Sequence, residues 1–256
     1  MEHSGHDDWP AFAAATTFEQ RLALMHSAMV PLGFSSLVYD YTPVPCTPEG
    51  RLVRPNIMKT VNLPESFEAL WMEEDFYAID LVQQVSQTTS RPFVWSHFDG
   101  QNHILGRSWS AEQQPVVRYL RDTRLTCGVT VPIHFADGGM ATVTGIRIDA
   151  EPTFSRHAQH VIATFTLMAL DFNEAVYADF DEEVRTCQQV RLSRREMECL
   201  ALSAQGLTAE AIAQRINRAL PTVTLHLNSA ARKLGARNRA HAIALAAHFR
   251  LLKTVN

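Results

Sequence analysis

The chain is short of cysteine and glycine, and its charges nearly cancel. Its 256 residues hold four cysteines, 11 glycines and a formal net charge of −4, from 23 Lys and Arg against 27 Asp and Glu. Each scarcity excludes something. Four cysteines at this length do not make a disulfide framework, so Cys46, Cys127, Cys187 and Cys199 read as free thiols. No apolar run approaches the roughly 20 residues that span a bilayer. The opening MEHSGHDDWP lacks the basic-then-apolar order of a signal peptide. The expectation is a cytoplasmic protein with no membrane partner. There is no glycine-rich phosphate loop, nucleophile elbow or internal repeat. His157 and His160 can share a helical face, but a recognisable zinc motif also needs a third ligand and a general base. No catalytic residue and no metal ligand is therefore assigned, and neither an enzyme nor a cofactor is expected. Cys127, in a strand pattern beside Gly128, reads as core, with a thiol-based redox sensor as the remote alternative.

What is present is unevenly spread. Hydrophobic residues make up 46% of the chain, ample for a core, and the length suits one large domain or two ordinary ones. Residues 190–256 carry 11 Lys and Arg but only Glu196, Glu198 and Glu210, a net of +8; residues 1–189 carry 12 and 24, a net of −12. A compact segment at +8 is what binding to phosphates needs. All four Trp, all five Tyr and every Phe but Phe249 precede residue 190. The first part can build a large aromatic-lined core or pocket, and the second reads as small packed helices. Between them DFDEE, Asp179–Glu183, reads as a solvated linker.

In the basic segment, Ser193 and Glu196 form a capping box before the apolar run Met197, Leu200, Ala201, Ala204, and Gly206 stands where a helix-ending glycine belongs. Thr208 is a candidate cap for a second helix carrying Ile212, Ala213 and Ile216. Pro221 suits the first turn of a third, whose buried stripe is Val223, Leu227, Ala230 and Leu234. Its far side carries Thr222, Leu225, Asn228, Ser229 and Arg232, flanked by Thr224 and Lys233. A fourth helix spans about Arg239 to His248. Periodicity alone admits either a helix-turn-helix or a plain bundle.

The string LSRREMECLALSAQGLTAEAIAQRI, followed by TVTLHLNSAARKLGARNRAHAIALA, closely resembles the DNA-binding domain of LuxR-type bacterial transcription regulators. The matching positions include Leu192, Glu196, Leu200, Gly206, Ile212, Thr222, Val223, His226, Lys233, Leu234, Asn238 and Arg239. The resemblance assigns DNA contacts to Thr222, Thr224, Leu225, His226, Asn228, Ser229, Arg232, Lys233 and Arg237. Three positions depart from the pattern. Ala211 fills a Glu slot, Ala219 a Ser cap and Thr224 a Lys. A lost cap costs about 1 kcal/mol, and a lost phosphate contact lowers the salt slope by about one unit.

In the acidic part, Phe18, Leu22, Met25 and Met29 share one face of a first helix. Strands are expected at 34–41, 57–63, 127–135 and 140–148, the last two around the turn ADGG. Helices are expected at 64–76, 80–87, 111–121 and 155–177. This mixture without βαβ regularity suggests an antiparallel sheet sandwiched by helices. The stretch LPESFEALWMEEDFYAIDLVQQV, with FVW beyond it, resembles the signal-binding domain of the same family at Leu63, Pro64, Phe67, Trp71, Asp80, Leu81 and Trp95, and later at Gly128, Thr130, Pro132 and Thr144. The resemblance therefore covers nearly the whole chain, densely in the C-terminal part and more loosely here.

It implies a pocket for an N-acyl homoserine lactone lined by Leu63, Phe67, Trp71, Asp80, Trp95, Thr130 and Thr144. A ligand amide N–H needs a buried acceptor, which Asp80 supplies; its carbonyls need donors; its acyl chain gains roughly 0.8 kcal/mol per buried CH₂. Phe67 and Leu63 replace a Trp and a Tyr that donate in the family, and Trp71 replaces a second Tyr. Each unpaired carbonyl costs roughly 1–3 kcal/mol. Two readings stand open. Either the head group is not a lactone, or the pocket repacks around one with donors from Thr130, Thr144 or Trp71. Asp80 can also be a helix cap, and the two roles need not exclude each other.

The expected architecture is α+β: an N-terminal α/β/α sandwich (1–175) for signal binding and dimerisation, a linker (176–190), and a four-helix DNA-binding domain (191–256). The expected function is a ligand-responsive transcription regulator. Its implied partners are double-stranded DNA at an inverted repeat, a small-molecule signal, a second copy of the chain and RNA polymerase. A regulator answering a non-lactone signal or acting without ligand is the alternative, and in the latter the N-terminal fold is only a dimerisation scaffold.

Overall fold

The computed structural model describes residues 9–97, 104–105, 109–148 and 154–252. The chain divides into two compact units, Met1–Pro45 with Leu52–Asp181, and Cys46–Arg51 with Glu182–Asn256.

In the first unit, α1 (Phe18–Met29) starts at a capping box between Thr17 and Gln20. Strands β1 (Ser36–Thr42) and β2 (Ile57–Val61) follow, then α2 (Ser66–Met72), α3 (Phe76–Ile79) and α4 (Leu81–Thr88). The helix expected at 64–76 thus breaks, and Asp75 takes a left-handed conformation at the break, φ 65°. Strand β3 (Phe93–Ser96), absent from the sequence expectation, precedes α5 (Gln114–Asp122), β4 (Cys127–His134), β5 (Met140–Arg147) and α6 (Phe154–Ala178).

The five strands form one antiparallel sheet in the order β2-β1-β5-β4-β3. Side chains alternate across it. On one face Tyr39 reaches α6, packing on Phe172 and donating its hydroxyl to Asn173. On the other, Val38 joins the cluster of Phe67, Trp71, Val82 and Trp95. Both faces of β1 are buried along its length, as a sandwiched sheet requires.

α6 corrects one expectation. Its 25 residues are long and apolar enough, by length and composition, to cross a membrane. It is instead a core helix of the sandwich, with Phe165, Met168, Ala169, Phe172 and Val176 buried against the sheet. It also runs through Ala178, so its last turn takes in the first residues of the expected linker.

The second unit holds α7 (Arg194–Ala204), α8 (Ala209–Arg215), α9 (Leu220–Lys233) and α10 (Arg239–His248). Ser193 and Glu196 close the α7 capping box, Gly206 sits at φ 89° after α7, and Thr208 caps α8. Ala219 provides no side-chain cap for α9. Val223, Leu227, Ala230 and Leu234 form the buried stripe of α9, facing α7 and α8.

Candidate signal pocket and DNA-reading surface

The first unit encloses a pocket between the sheet and α2–α5. It is lined by Val38, Met58, Phe67, Trp71, Asp80, Val82, Gln83, Trp95, Leu120, Thr144 and Ile146, which leave about 30 Å³ among them. That is the scale of one or two water molecules, so a larger guest requires the lining to move. An aromatic lid closes the pocket on its α2 side. Phe67 and Trp71, one helical turn apart on α2, stack with ring centroids 3.9 Å apart, and Trp71 meets Phe76 edge-on.

Asp80 is the helix cap the sequence allowed, and its second oxygen is taken by a side chain of the pocket itself. One carboxylate oxygen caps α4 by accepting from the Val82 N–H at 2.9 Å. The other accepts the Trp71 indole N–H, also at 2.9 Å. Burial raises the Asp80 pKa to about 6, against the lowering effect of these two donors. Trp71 therefore places its donor where the resemblance puts a ligand N–H.

A hydrogen-bonded relay enters from the sheet. Trp95 donates its indole N–H to the Thr130 hydroxyl at 2.9 Å, and Thr130 and Thr144, cross-strand partners, share a bond of 2.9 Å. Trp95 lies over Gly128, where a Cβ would stand 2.4 Å from the indole. If Thr130 donates to Thr144, the Thr144 hydroxyl keeps one hydrogen at the pocket wall.

Of the sequence-predicted ligand residues, Phe67, Trp71, Asp80, Trp95 and Thr144 line the cavity. Thr130 stands behind Thr144. Leu63 is half-buried at the edge of the same hydrophobic cluster and is not among the lining residues. Sequence reasoning missed Gln83 and the buried carboxylate it meets, Asp40. Asp40 accepts from Tyr77 and Gln83 at 2.9 Å each, and from Thr142. Burial raises its pKa to about 6, against those three donors. Asp40 and Thr142 are strand-register partners, so only the sheet pairing reveals the cluster.

The other candidate chemistry is accounted for separately. His157 Nε2 meets the Leu32 carbonyl and His160 Nδ1 the Arg156 carbonyl, so the two rings do not converge. Burial raises the thiol pKa of Cys127, Cys187 and Cys199, the reverse of what a reactive thiolate needs.

In the second unit α9 exposes Thr224, Leu225, Asn228 and Arg232 on one side, with Leu225 67% exposed, and Arg237 lies exposed just beyond the helix. Thr222 and His226 are half-buried. Ser229 is half-buried and Lys233 exposed, and both also bond within the unit. Ser229 donates to Glu196 Oε1 at 2.7 Å and Lys233 to Glu196 Oε2 at 2.8 Å. Glu196 also accepts the Ser193 backbone N–H at 2.6 Å. Burial pushes the Glu196 pKa up, but Lys233, Ser193 and Ser229 outweigh it and hold the carboxyl at about 2.

Residues 17–176 match the family profile described as autoinducer binding domain, and residues 190–246 that of bacterial regulatory proteins, luxR family. The transcriptional activator protein BjaR1 of Bradyrhizobium diazoefficiens is 27% identical, covering 89% of this chain and 87% of its own. The quorum sensing-dependent transcriptional regulator RpaR of Rhodopseudomonas palustris is 30% identical, over 74% and 73%. In fold, the chain resembles Escherichia coli SdiA, with a TM-score of 0.56 at 22% identity over 94% of each chain. A structure of SdiA in complex with octanoyl-rac-glycerol gives a TM-score of 0.54 at 22% identity, over 96% of this chain and 93% of that one.

Proposed function

Because the chain belongs to the luxR family of bacterial regulatory proteins, with an autoinducer-binding domain before its DNA-binding domain, we propose that it is a cytoplasmic homodimeric regulator whose signal exchanges places with the Trp71 indole on Asp80. The observation that carries this reading is the Trp71–Asp80 bond inside an apolar pocket. A signal with an N–H or O–H donor takes over the carboxylate, the Phe67–Trp71 stack opens, and the Thr144 hydroxyl meets an acceptor on the signal. Phe67 has no N–H to hold a lactone carbonyl, which favours a head group less polar than a lactone. Leu167 and Leu170 stand exposed on α6 and support pairing with a second copy. Paired recognition helices then read an inverted repeat with half-sites about one helical turn, or a multiple, apart. Thr222, Thr224, Leu225, His226, Asn228, Arg232 and Arg237 supply the contacts, and RNA polymerase is the downstream partner. A signal shifts the balance only by its different affinity for the two states.

The test is operator binding by the purified full chain with and without N-octanoyl homoserine lactone or octanoylglycerol, beside mass spectrometry of what co-purifies. Asp80→Ala should abolish the response and leave basal DNA binding in place. A normal response would remove Asp80 from the site. A second reading, action without ligand, is favoured by the small cavity and by Asp80 being already paired. Full operator binding by protein that carries no small molecule would establish it.

A further inference from the structure

Among the polar groups lining the pocket, Trp71 and Asp80 bond to each other and Trp95 and Thr144 bond to Thr130 behind the wall, whereas one acceptor is left over. Gln83 is 3% exposed, lines the cavity, and its side-chain oxygen Oε1 has no hydrogen-bond partner among the described residues. A buried amide oxygen left unpaired costs free energy on the scale of a lost hydrogen bond.

Its orientation is fixed from behind. The Gln83 Nε2 donates to Asp40 Oδ2 at 2.9 Å and lies 3.4 Å from the Thr142 hydroxyl. Asp40 accepts two further donors, Tyr77 and Thr142. An ionised carboxylate can only accept, so it selects the NH₂ end of the amide and turns the oxygen away from itself. The amide cannot flip without facing two oxygens at each other. Asp40 is thus a positioning residue: it aims an acceptor without touching the cavity.

We infer that Gln83 Oε1 is a second ligand-recognition atom, and that the signal carries a second hydrogen-bond donor, a hydroxyl or amide N–H, to meet it. This rests on reading the cavity as the signal pocket. Asp80 and Gln83 stand three residues apart at the start of α4, a spacing that puts side chains on one face with Cβ atoms about 5–6 Å apart. The two donors on the signal are spaced to match. A plain acyl chain leaves Gln83 unpaired and is discriminated against; a chain with a hydroxyl a few bonds from its amide is selected.

The experiment uses the full chain and two probes differing by one hydroxyl, N-octanoyl and N-(3-hydroxyoctanoyl) homoserine lactone. Calorimetric titration of the unsubstituted protein should show the hydroxylated probe binding about tenfold tighter, the worth of one buried hydrogen bond. Gln83→Met, which keeps the volume and removes the acceptor, should abolish that preference while still binding the plain probe. Asp40→Asn, which can offer an N–H to Gln83 Oε1 and so turn the amide, should reduce the preference too. It keeps the test decisive if Gln83→Met does not fold. Equal affinity of the two probes for the unsubstituted protein overturns the inference and leaves the signal pocket standing. Binding of neither overturns the inference, and the response to octanoylglycerol then decides the signal pocket separately. A preference that survives Gln83→Met, or Asp40→Asn where the former does not fold, assigns the selectivity elsewhere and overturns the role of Gln83.

Discussion

Replacing Trp71 with Phe separates the lid's shape from its donor. Phenylalanine keeps an aromatic ring against Phe67 and Phe76 but leaves one oxygen of the buried Asp80 without its indole partner. Losing a hydrogen bond to a charged group costs about 1.5–3 kcal/mol, and the smaller ring forfeits about another 1 kcal/mol of packing. The expected total is about 2.5–4 kcal/mol. At roughly 2–4 °C per kcal/mol for a domain of this size, the first unit should melt several degrees lower. The loss is tied to the charged form of Asp80. Its pKa, already raised to about 6, rises further when its main donor goes, so the penalty at pH 7.5 should shrink at pH 5. The appropriate assay is denaturation of Trp71→Phe, Asp80→Asn and the double variant at both pH values, since asparagine keeps an oxygen for the helix cap. A coupling of about 1–2 kcal/mol at pH 7.5 is expected. In the same series, a ligand whose donor reaches Asp80 should bind Trp71→Phe more tightly, having no indole to displace. Zero coupling between positions 71 and 80, or a penalty that grows on acidification, would refute the reasoning.

Three further outcomes are expected. The two units should respond oppositely to acid. Asp40 and Asp80 have folded pKa values raised from 3.8 to about 6, and His97 opposes them, lowered by burial and by Arg121 from 6.5 to about 4. The two carboxyls outweigh the one imidazole, so the first unit gains stability as pH falls from about 6 to 4, while Glu196, lowered from 4.5 to about 2, gives the second unit stability that is present above pH 4.5 and lost below it. Tryptophan fluorescence isolates the first unit, because every Trp precedes residue 190, and a fluorescence-detected midpoint that falls as pH is lowered from about 6 to 4 contradicts this. Gly128→Ala should displace Trp95, lowering stability by about 1–3 kcal/mol and blunting the signal response; an unchanged melting temperature would mean the indole moves freely. Arg232→Ala with Arg237→Ala should reduce the salt slope of DNA binding by about two units, whereas Lys233→Ala, whose amine is held by Glu196, should cost stability and leave the slope nearly unchanged.

The local signals in the second unit were readable because each acts within four residues. The Ser193–Glu196 box, the Gly206 stop, the Thr208 cap and the α9 stripe all formed where the sequence placed them. Less was legible in the first unit. Strand β3 is four residues long, too short for alternation to declare itself. The break at Asp75 follows a run with no proline or glycine to announce it. Thr17 and Gln20 form a capping box that was overlooked. The Asp40 cluster joins β1, α3, α4 and β5 across the sheet, so no spacing rule could assemble it. Asp80 was visible as acceptor and as cap, yet its pairing with Trp71 depends on the α2–α3 break that brings the indole back over α4.

The ties on Glu196 fall at one end of α9. Ser229 and Lys233 anchor its C-terminal half to the start of α7, while Ala219 leaves its first turn uncapped. The helix is tied by side chains at its C-terminal half, while the turn with Thr222, Thr224 and Leu225 is held by backbone bonds and the burial of Val223, with no side-chain cap. Amides near residue 224 should therefore exchange hydrogen earlier than those near residue 230 in the free protein, and slow most on DNA. If that order of exchange holds, part of the binding free energy goes into ordering the turn proposed to make the contacts.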